Sequence, residues 1–432
     1  MLTAQSTLIF DTQDGKMLSC RRWFISVMVF NFNILILGIF ALGLSGCFEP
    51  NKTLALEIPS KIQAVERADI QNELINWLEA KSVKYANYRL SYPAEGIIHA
   101  KGAVPAGKGS VRVNVLEINK KLNPNLEIKP QTASDYLNSR VKIRKIADKT
   151  NAIAAVNGGY FKPQTGVPLG ALVIDNELLT GPVYNRAAFS INNDGTYSVG
   201  KTDMKFSLKN KKIDFKIDNV NQPRMLSTYT LLYTEKWGKT SPPPPKYGVN
   251  AVIKNGFVAG IYKTSVEIPA SGYVVSGPEN VVKQLSGQKK LTFEIKYPSH
   301  FEKAGHIISG GPFLVKNGEI YIDAKEEKLT SITGKNPRTL IGHTENNELI
   351  LVTVDGRESH SVGMSLYEAA KYMQKLGCIN AINLDGGSSS VMYLKGRITN
   401  TPPVEGGIPI SGALVVGLNS AISSSESAQN KM

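Results

Sequence analysis

At 432 residues the chain exceeds the usual size of one domain, although a large sheet fold behind a leader accounts for the length equally well. A hydrophobic fraction of 42% is ample for a packed core and excludes a chain disordered throughout. Lys and Arg outnumber Asp and Glu by 50 to 36, and the resulting +14 favours anionic partners without choosing among them.

The chain opens with a basic pair, Arg21 and Arg22, followed by an uncharged, mostly apolar stretch from Trp23 to Leu44. This is the build of an export signal. It closes on Leu44, Ser45, Gly46 and Cys47, which resembles the lipobox of bacterial lipoproteins and implies a signal peptide over 1–46 and lipidation of Cys47. Translation would then start at Met17. The alternative is an uncleaved transmembrane anchor, because the stretch is long enough to span a bilayer. Either reading makes this an exported protein tied to a membrane of the cell envelope. With Cys20 in the leader and Cys47 lipidated, Cys378 stands alone, which rules out an intrachain disulfide and a CxxC site in the mature chain.

Residues 47–95 have few glycines, and Ile70, Leu74, Trp77 and Leu78 recur at helical spacing, so a partly helical, membrane-proximal spacer is expected. From residue 96 the pattern turns to short β-rich runs such as VRVNVLEI and AVIKNGFVAGIY, with Asn-Gly, Asp-Gly and Asp-Asn pairs between runs as hairpin signals. The densest basic run, KNKKIDFK at 209–216, alternates with apolar residues and lacks clustered aromatics. It reads as a solvated strand face, and no nucleic-acid partner is expected. SPPPP at 241–245 reads as an exposed loop. In GMSLYEAAKYMQKLG, Ser365 and Glu368 form a capping box, Leu366, Ala369, Ala370 and Met373 an apolar stripe, and Gly377 a stop. CINAINLD then predicts a buried strand ending at Asp385, and ELILVTVDGR one ending at Asp355. Residues 419–432 are polar and read as a disordered tail.

Several chemistries fail on spacing. WGKT lacks the first glycine of a P-loop, GGSSS lacks the last glycine of a nucleophile elbow, and the five histidines include no pair at helical ligand spacing. No metal or other cofactor is expected. What remains is a set of small-residue segments with one or two polar groups each: VNGGYF, ISGGPFL, NPRTLIGH, TVDGRESHSVGMSL and NLDGGSSS. Glycine pairs beside strands allow close backbone approach and expose amides, which suits a sugar or an anion.

In this order the segments resemble the phosphodiester glycosidase family, the domain of the lysosomal uncovering enzyme and of bacterial relatives associated with exopolysaccharides. The similarity runs over 96–418. It implies an α/β (α+β) fold, a mixed, largely antiparallel sheet with packed helices in one large catalytic-type domain, and a hydrolase that cleaves a glycosyl phosphodiester bond in a surface glycan. The alternative is a non-catalytic glycan-binding or envelope-assembly lipoprotein. A departing phosphate monoester is a stable anion, so charge stabilisation matters more than a general acid. On that chemistry Arg338 is the expected phosphate fork, and Asp385 or Asp355 the base or sugar-ion stabiliser. The amides of Gly158, Gly159, Gly310 and Gly311 are expected anion donors, with Asn157, Arg357, His343, Asn383, Gly386, Gly387 and Ser388 lining the substrate; His360 is a weaker candidate. Two positions depart from the family: Ser388 replaces a third glycine, and Ile408 stands before Pro409 where relatives commonly carry Arg.

Overall fold

In the computed structural model, which describes residues 60–106 and 109–419, the element that positions the site is an eight-stranded sheet. Its strands lie in the order Arg89–Ala94, Ile97–Ala106, Gly109–Ile118, Leu349–Val354, Arg338–Thr344, Cys378–Asn383, Phe313–Lys316 and Glu319–Ile320. Every neighbouring pair in it is antiparallel. The central strands are buried on both faces, which is why LILVTV is apolar but for the buried Thr353. Alternation still sorts the side chains: Ile350, Val352 and Val354 join one core cluster, Leu349 and Leu351 the other.

Against the first face packs the helix Leu366–Lys375 through Leu366, Ala369, Ala370 and Met373. The capping box is present: the Glu368 amide donates to Ser365 Oγ at 3.2 Å and the Ser365 amide to the Glu368 carboxylate at 2.8 Å. Gly377 follows at φ +87° and ends the helix. Against the second face lie two five-stranded sheets. One carries Ala154–Asn157 between Met392–Leu394 and Gly412–Leu418, and the other carries Ala304–Ser309 between Leu172–Ile174 and Ala187–Asn192. Hairpin turns fall on the expected pairs; Asn255–Gly256 and Asn317–Gly318 both adopt positive φ at the two central positions.

The expectation of a mixed sheet in an α/β fold is corrected to a β-rich fold of several sheets with a few helices. Among the described residues the one parallel ladder is the short pairing of Asn219–Val220 with Leu231–Tyr233. The physical reason is that tight hairpins join most neighbours, whereas parallel pairing needs crossovers. The helix Ser60–Lys84 is docked by its last turns. Lys81 and Lys84 both bond Glu117, a fully buried carboxylate of the strand Gly109–Ile118, and Trp77 donates to Glu348. The expected signal peptide, Cys47 and the tail from residue 420 lie outside the described residues, and among these no helix is long and apolar enough to cross a membrane.

Candidate functional site

Strands Leu349–Val354 and Cys378–Asn383 flank Arg338–Thr344, and both run opposite to it. Their C-terminal ends and the start of the middle strand therefore share one sheet edge, which brings Asp355, Arg338 and Asp385 together along the backbone. Register fixes the detail: Arg338 pairs with Val354 and Leu340 with Asn383.

Segments remote in sequence close on this edge. Asn157 donates to the Asp385 carbonyl at 2.8 Å and accepts from the Thr339 hydroxyl at 2.6 Å. The Gly311 amide meets the Asn383 carbonyl at 2.7 Å, and the Gly387 amide meets the Pro337 carbonyl at 2.9 Å. Tyr160 donates its hydroxyl to Gly311 O at 2.8 Å and accepts from the Asn383 side-chain Nδ2 at 2.9 Å. Glycine is needed because backbones touch here. A Cβ on Gly159 would lie 2.1 Å from the Ser309 carbonyl oxygen, and one on Gly310 2.3 Å from that of Asn383. Four of the five polar segments, VNGGYF, ISGGPFL, NPRTLIGH and NLDGGSSS, thus form one interlocked corner, and TVDGRESHSVGMSL reaches it through Arg357.

Asp385 is the partly exposed carboxylate of this corner, beside Gly386, Gly387 and Ser388, which are also partly exposed. Burial pushes its pKa up to about 6, with the Ser389 hydroxyl and the Gly386 amide, 2.9 Å away, pulling the other way. Its charge is felt by the Tyr160 hydroxyl, whose own proton is held more tightly by burial and by Asp385. A carboxylate with proton affinity near neutrality, on a partly exposed residue edged by glycine, can exchange a proton with a nearby water or face a cationic centre.

Other expected residues are placed differently. Arg338 is 1% exposed, and its guanidinium donates to the carbonyls of Met364, Ile332 and Gly334. Burial lowers its pKa to about 10. Its Nε and Nη2 are committed to holding backbone in place. Asp355, also 1% exposed, accepts from Asn400 Nδ2 at 3.2 Å and the Thr401 amide at 3.0 Å, and burial raises its proton affinity. Its carboxylate therefore turns toward residues 400–401, while His360 lies near enough to affect its charge. His343 sits toward the far end of the strand from Arg338, against the rings of Phe189 and Tyr197. Of the four expected anion-donating amides, those of Gly158, Gly310 and Gly311 are bonded to the carbonyls of Gly412, Ala187 and Asn383; among the described residues the Gly159 amide is free. Ile408 packs into the apolar cluster of Ile143, Val391 and Ile410. No three His, Cys, Asp or Glu side chains of the described residues cluster as a metal site would require.

Two other arginines lie at this corner. Arg357, at φ +62°, is exposed and bonded to Asn336 Oδ1 at 2.8 Å, with its guanidinium against Gly387. Arg186 lies over the Tyr160 ring, 5.2 Å from its centroid, and was missed in the sequence along with Tyr160 itself. The available signal was the pair before it: Tyr184 and Asn185 both take positive φ, at 51° and 48°, a turn that Tyr-Asn only weakly announces.

Residues 247–417 match the family model for phosphodiester glycosidase. The bovine N-acetylglucosamine-1-phosphodiester alpha-N-acetylglucosaminidase is 36% identical over 107 residues, which is 22% of this chain and 20% of that protein. The SPbeta prophage-derived protein YomE of Bacillus subtilis is 41% identical over 90 residues, 21% of this chain and 14% of its own. The match to the bovine protein thus spans about a fifth of that relative's length. A solved Synechocystis protein superimposes with a TM-score of 0.70 at 25% identity, covering 75% of this chain and 62% of that one. Asn157, Tyr160 and Arg186 precede the matched stretch and complete the corner from outside it. Residues 247–417, which carry Arg338, Asp355, Arg357 and Asp385, are thus the stretch in which the chain is similar to the phosphodiester glycosidase family.

Proposed function

We propose that this chain hydrolyses a glycosyl phosphodiester, releasing a free sugar and a phosphate monoester. The carrying observation is the environment of Asp385: a partly exposed carboxylate, raised to about 6, on an edge lined by glycine and adjoining Tyr160. At neutral pH it is mostly ionised. Water then attacks the anomeric carbon, its proton passes to Asp385, and the electron pair of the breaking carbon–oxygen bond leaves on the phosphate. No general acid is required, because the departing monoester is already an anion with a second pKa of about 6. The ionised Asp385 also faces the positive charge that develops on the sugar ring. Arg357 meets the phosphate at the rim, and the free Gly159 amide offers a second donor.

Asp355 supports the site indirectly, by tying the start of the DGR turn to residues 400–401. The apolar stretch from Trp23 to Leu44 and Cys47 support an exported, membrane-tethered enzyme, to which surface glycans linked through phosphate would be accessible. The test is incubation of residues 51–432 with a methyl phosphodiester of N-acetylglucosamine 1-phosphate. Free sugar is expected from the wild type and at least a hundredfold less from Asp385→Asn. Binding without release by the wild type would identify a glycan-binding lipoprotein instead.

A further inference from the structure

Arg186 is 8% exposed, yet its surroundings do not neutralise it. Its Nε donates to the Glu327 carbonyl at 3.2 Å, and among the described residues its terminal nitrogens have no hydrogen-bond partner. No carboxylate of those residues lies within ion-pair distance of it. Glu327 is the nearby acid, but its Oε1 is bonded to the Ala187 amide and to Lys201. The guanidinium instead lies over two rings, 5.2 Å from the centroid of Tyr160 and 5.6 Å from that of Tyr184. Tyr184 is 49% exposed, so the stack reaches solvent on that side.

A guanidinium so far removed from water, without a counter-ion, is a costly arrangement unless something anionic completes it. Two rings within cation–π distance hold the guanidinium in place without using its terminal N–H groups, which are then available to a planar or tetrahedral oxyanion. Tyr160 connects it to the reaction centre, since its hydroxyl bonds Gly311 and Asn383 and senses Asp385.

We propose that Arg186, held against the rings of Tyr160 and Tyr184, is an anion-binding residue of this site and takes a non-bridging oxygen of the substrate phosphate. The proposal rests on the phosphodiester reading above and names which buried cation confers preference for a charged leaving group. Lys201, Asp323 and Glu327 act beneath it as a brace: Lys201 bonds both carboxylates, and the Glu327 backbone holds the Arg186 Nε.

Phosphorus NMR with inorganic phosphate and dimethyl phosphate as probes tests it on residues 51–432. Wild type should broaden both signals, Arg186→Gln should weaken binding at least tenfold, and Asp385→Asn should leave it equal or stronger because a negative charge is removed. Arg186→Lys keeps the charge and loses the fork, so it should bind at least threefold more weakly than wild type, and it carries the test if the glutamine variant does not fold. Equal binding by wild type and the folded Arg186 variants, or none by the wild type, overturns the assignment. If phosphate binds through Arg186 but no glycosyl phosphodiester is cleaved, the hydrolase reading fails and the anion site stands. In active protein, Arg186→Gln should lower kcat/KM for the phosphodiester far more than for an aryl glycoside with a neutral leaving group.

Discussion

Asp385 illustrates how a residue useful for chemistry costs stability. Its proton affinity is higher in the folded chain than in an unfolded one, so between pH 4 and 6 the native state binds the extra proton. Its contribution is therefore least unfavourable in acid and becomes destabilising as pH rises through about 6. Asp385→Asn should raise the melting temperature by ~2–4 °C at pH 7.5 and by almost nothing at pH 4, after discounting for partial exposure. The same ionisation should appear in turnover: kcat/KM rises with pH through about 6 and then levels. A flat profile from pH 5 to 8 would remove Asp385 from the role of base. Arg338 behaves in the opposite way. Arg338→Met strands the carbonyls of Met364, Ile332 and Gly334, for a loss of about 3 kcal/mol read by urea denaturation. The position of Asp385 on a strand end was legible because an apolar run stops abruptly in glycine. That Arg338 is committed to backbone was not, since its partners come from a loop and a turn whose paths no local pattern reveals. The same holds for the amides of Gly158, Gly310 and Gly311, each bonded to a carbonyl of a distant segment.

At the scale of elements, local rules carried well wherever the relevant contacts are local. The capping box of Ser365 and Glu368 and the Asn-Gly hairpins are written in adjacent residues. The pairing of Gly109–Ile118 with Leu349–Val354 is not, and so the all-antiparallel order of the large sheet escaped a reading by periodicity. The helix Ser60–Lys84 is a second case. Its apolar spacing announced a helix, but the docking depends on lysines, which pattern reading assigns to solvent. Burial raises the proton affinity of Glu117, yet Lys84, Lys81 and the hydrogen bond from Tyr85 outweigh it and hold the carboxyl below its ordinary range. Stability from this cluster is present above that range and is lost as pH falls and the carboxylate protonates. Lys81→Met should destabilise by about 3 kcal/mol at pH 7. The gap from wild type should narrow below pH 4, where a neutral Glu117 no longer needs a cation; chemical denaturation at the two pH values measures both. A gap independent of pH would mean that Lys81 contributes by packing alone.

For the whole molecule, the leader and the folded body make separate claims. Cys47→Ser should abolish incorporation of labelled fatty acid and release the protein from the membrane fraction, while residues 51–432 keep the same melting temperature and turnover. A serine variant that stays in the membrane fraction, with no fatty-acid label in the wild type, would favour an uncleaved anchor. The glycine-rich segments belong to the body, and their meaning emerges only when the sheets close: each is a turn by itself, and together they place Asp385, Tyr160, Arg186 and Arg357 on one corner. The most direct test is a crystal structure with a non-hydrolysable glycosyl phosphonate analogue. Density with the anomeric carbon beside the Asp385 carboxylate and the phosphonate oxygens on Arg186 and Arg357 is the expected result, whereas a ligand bound elsewhere, with that corner left to water at saturating analogue, would contradict it.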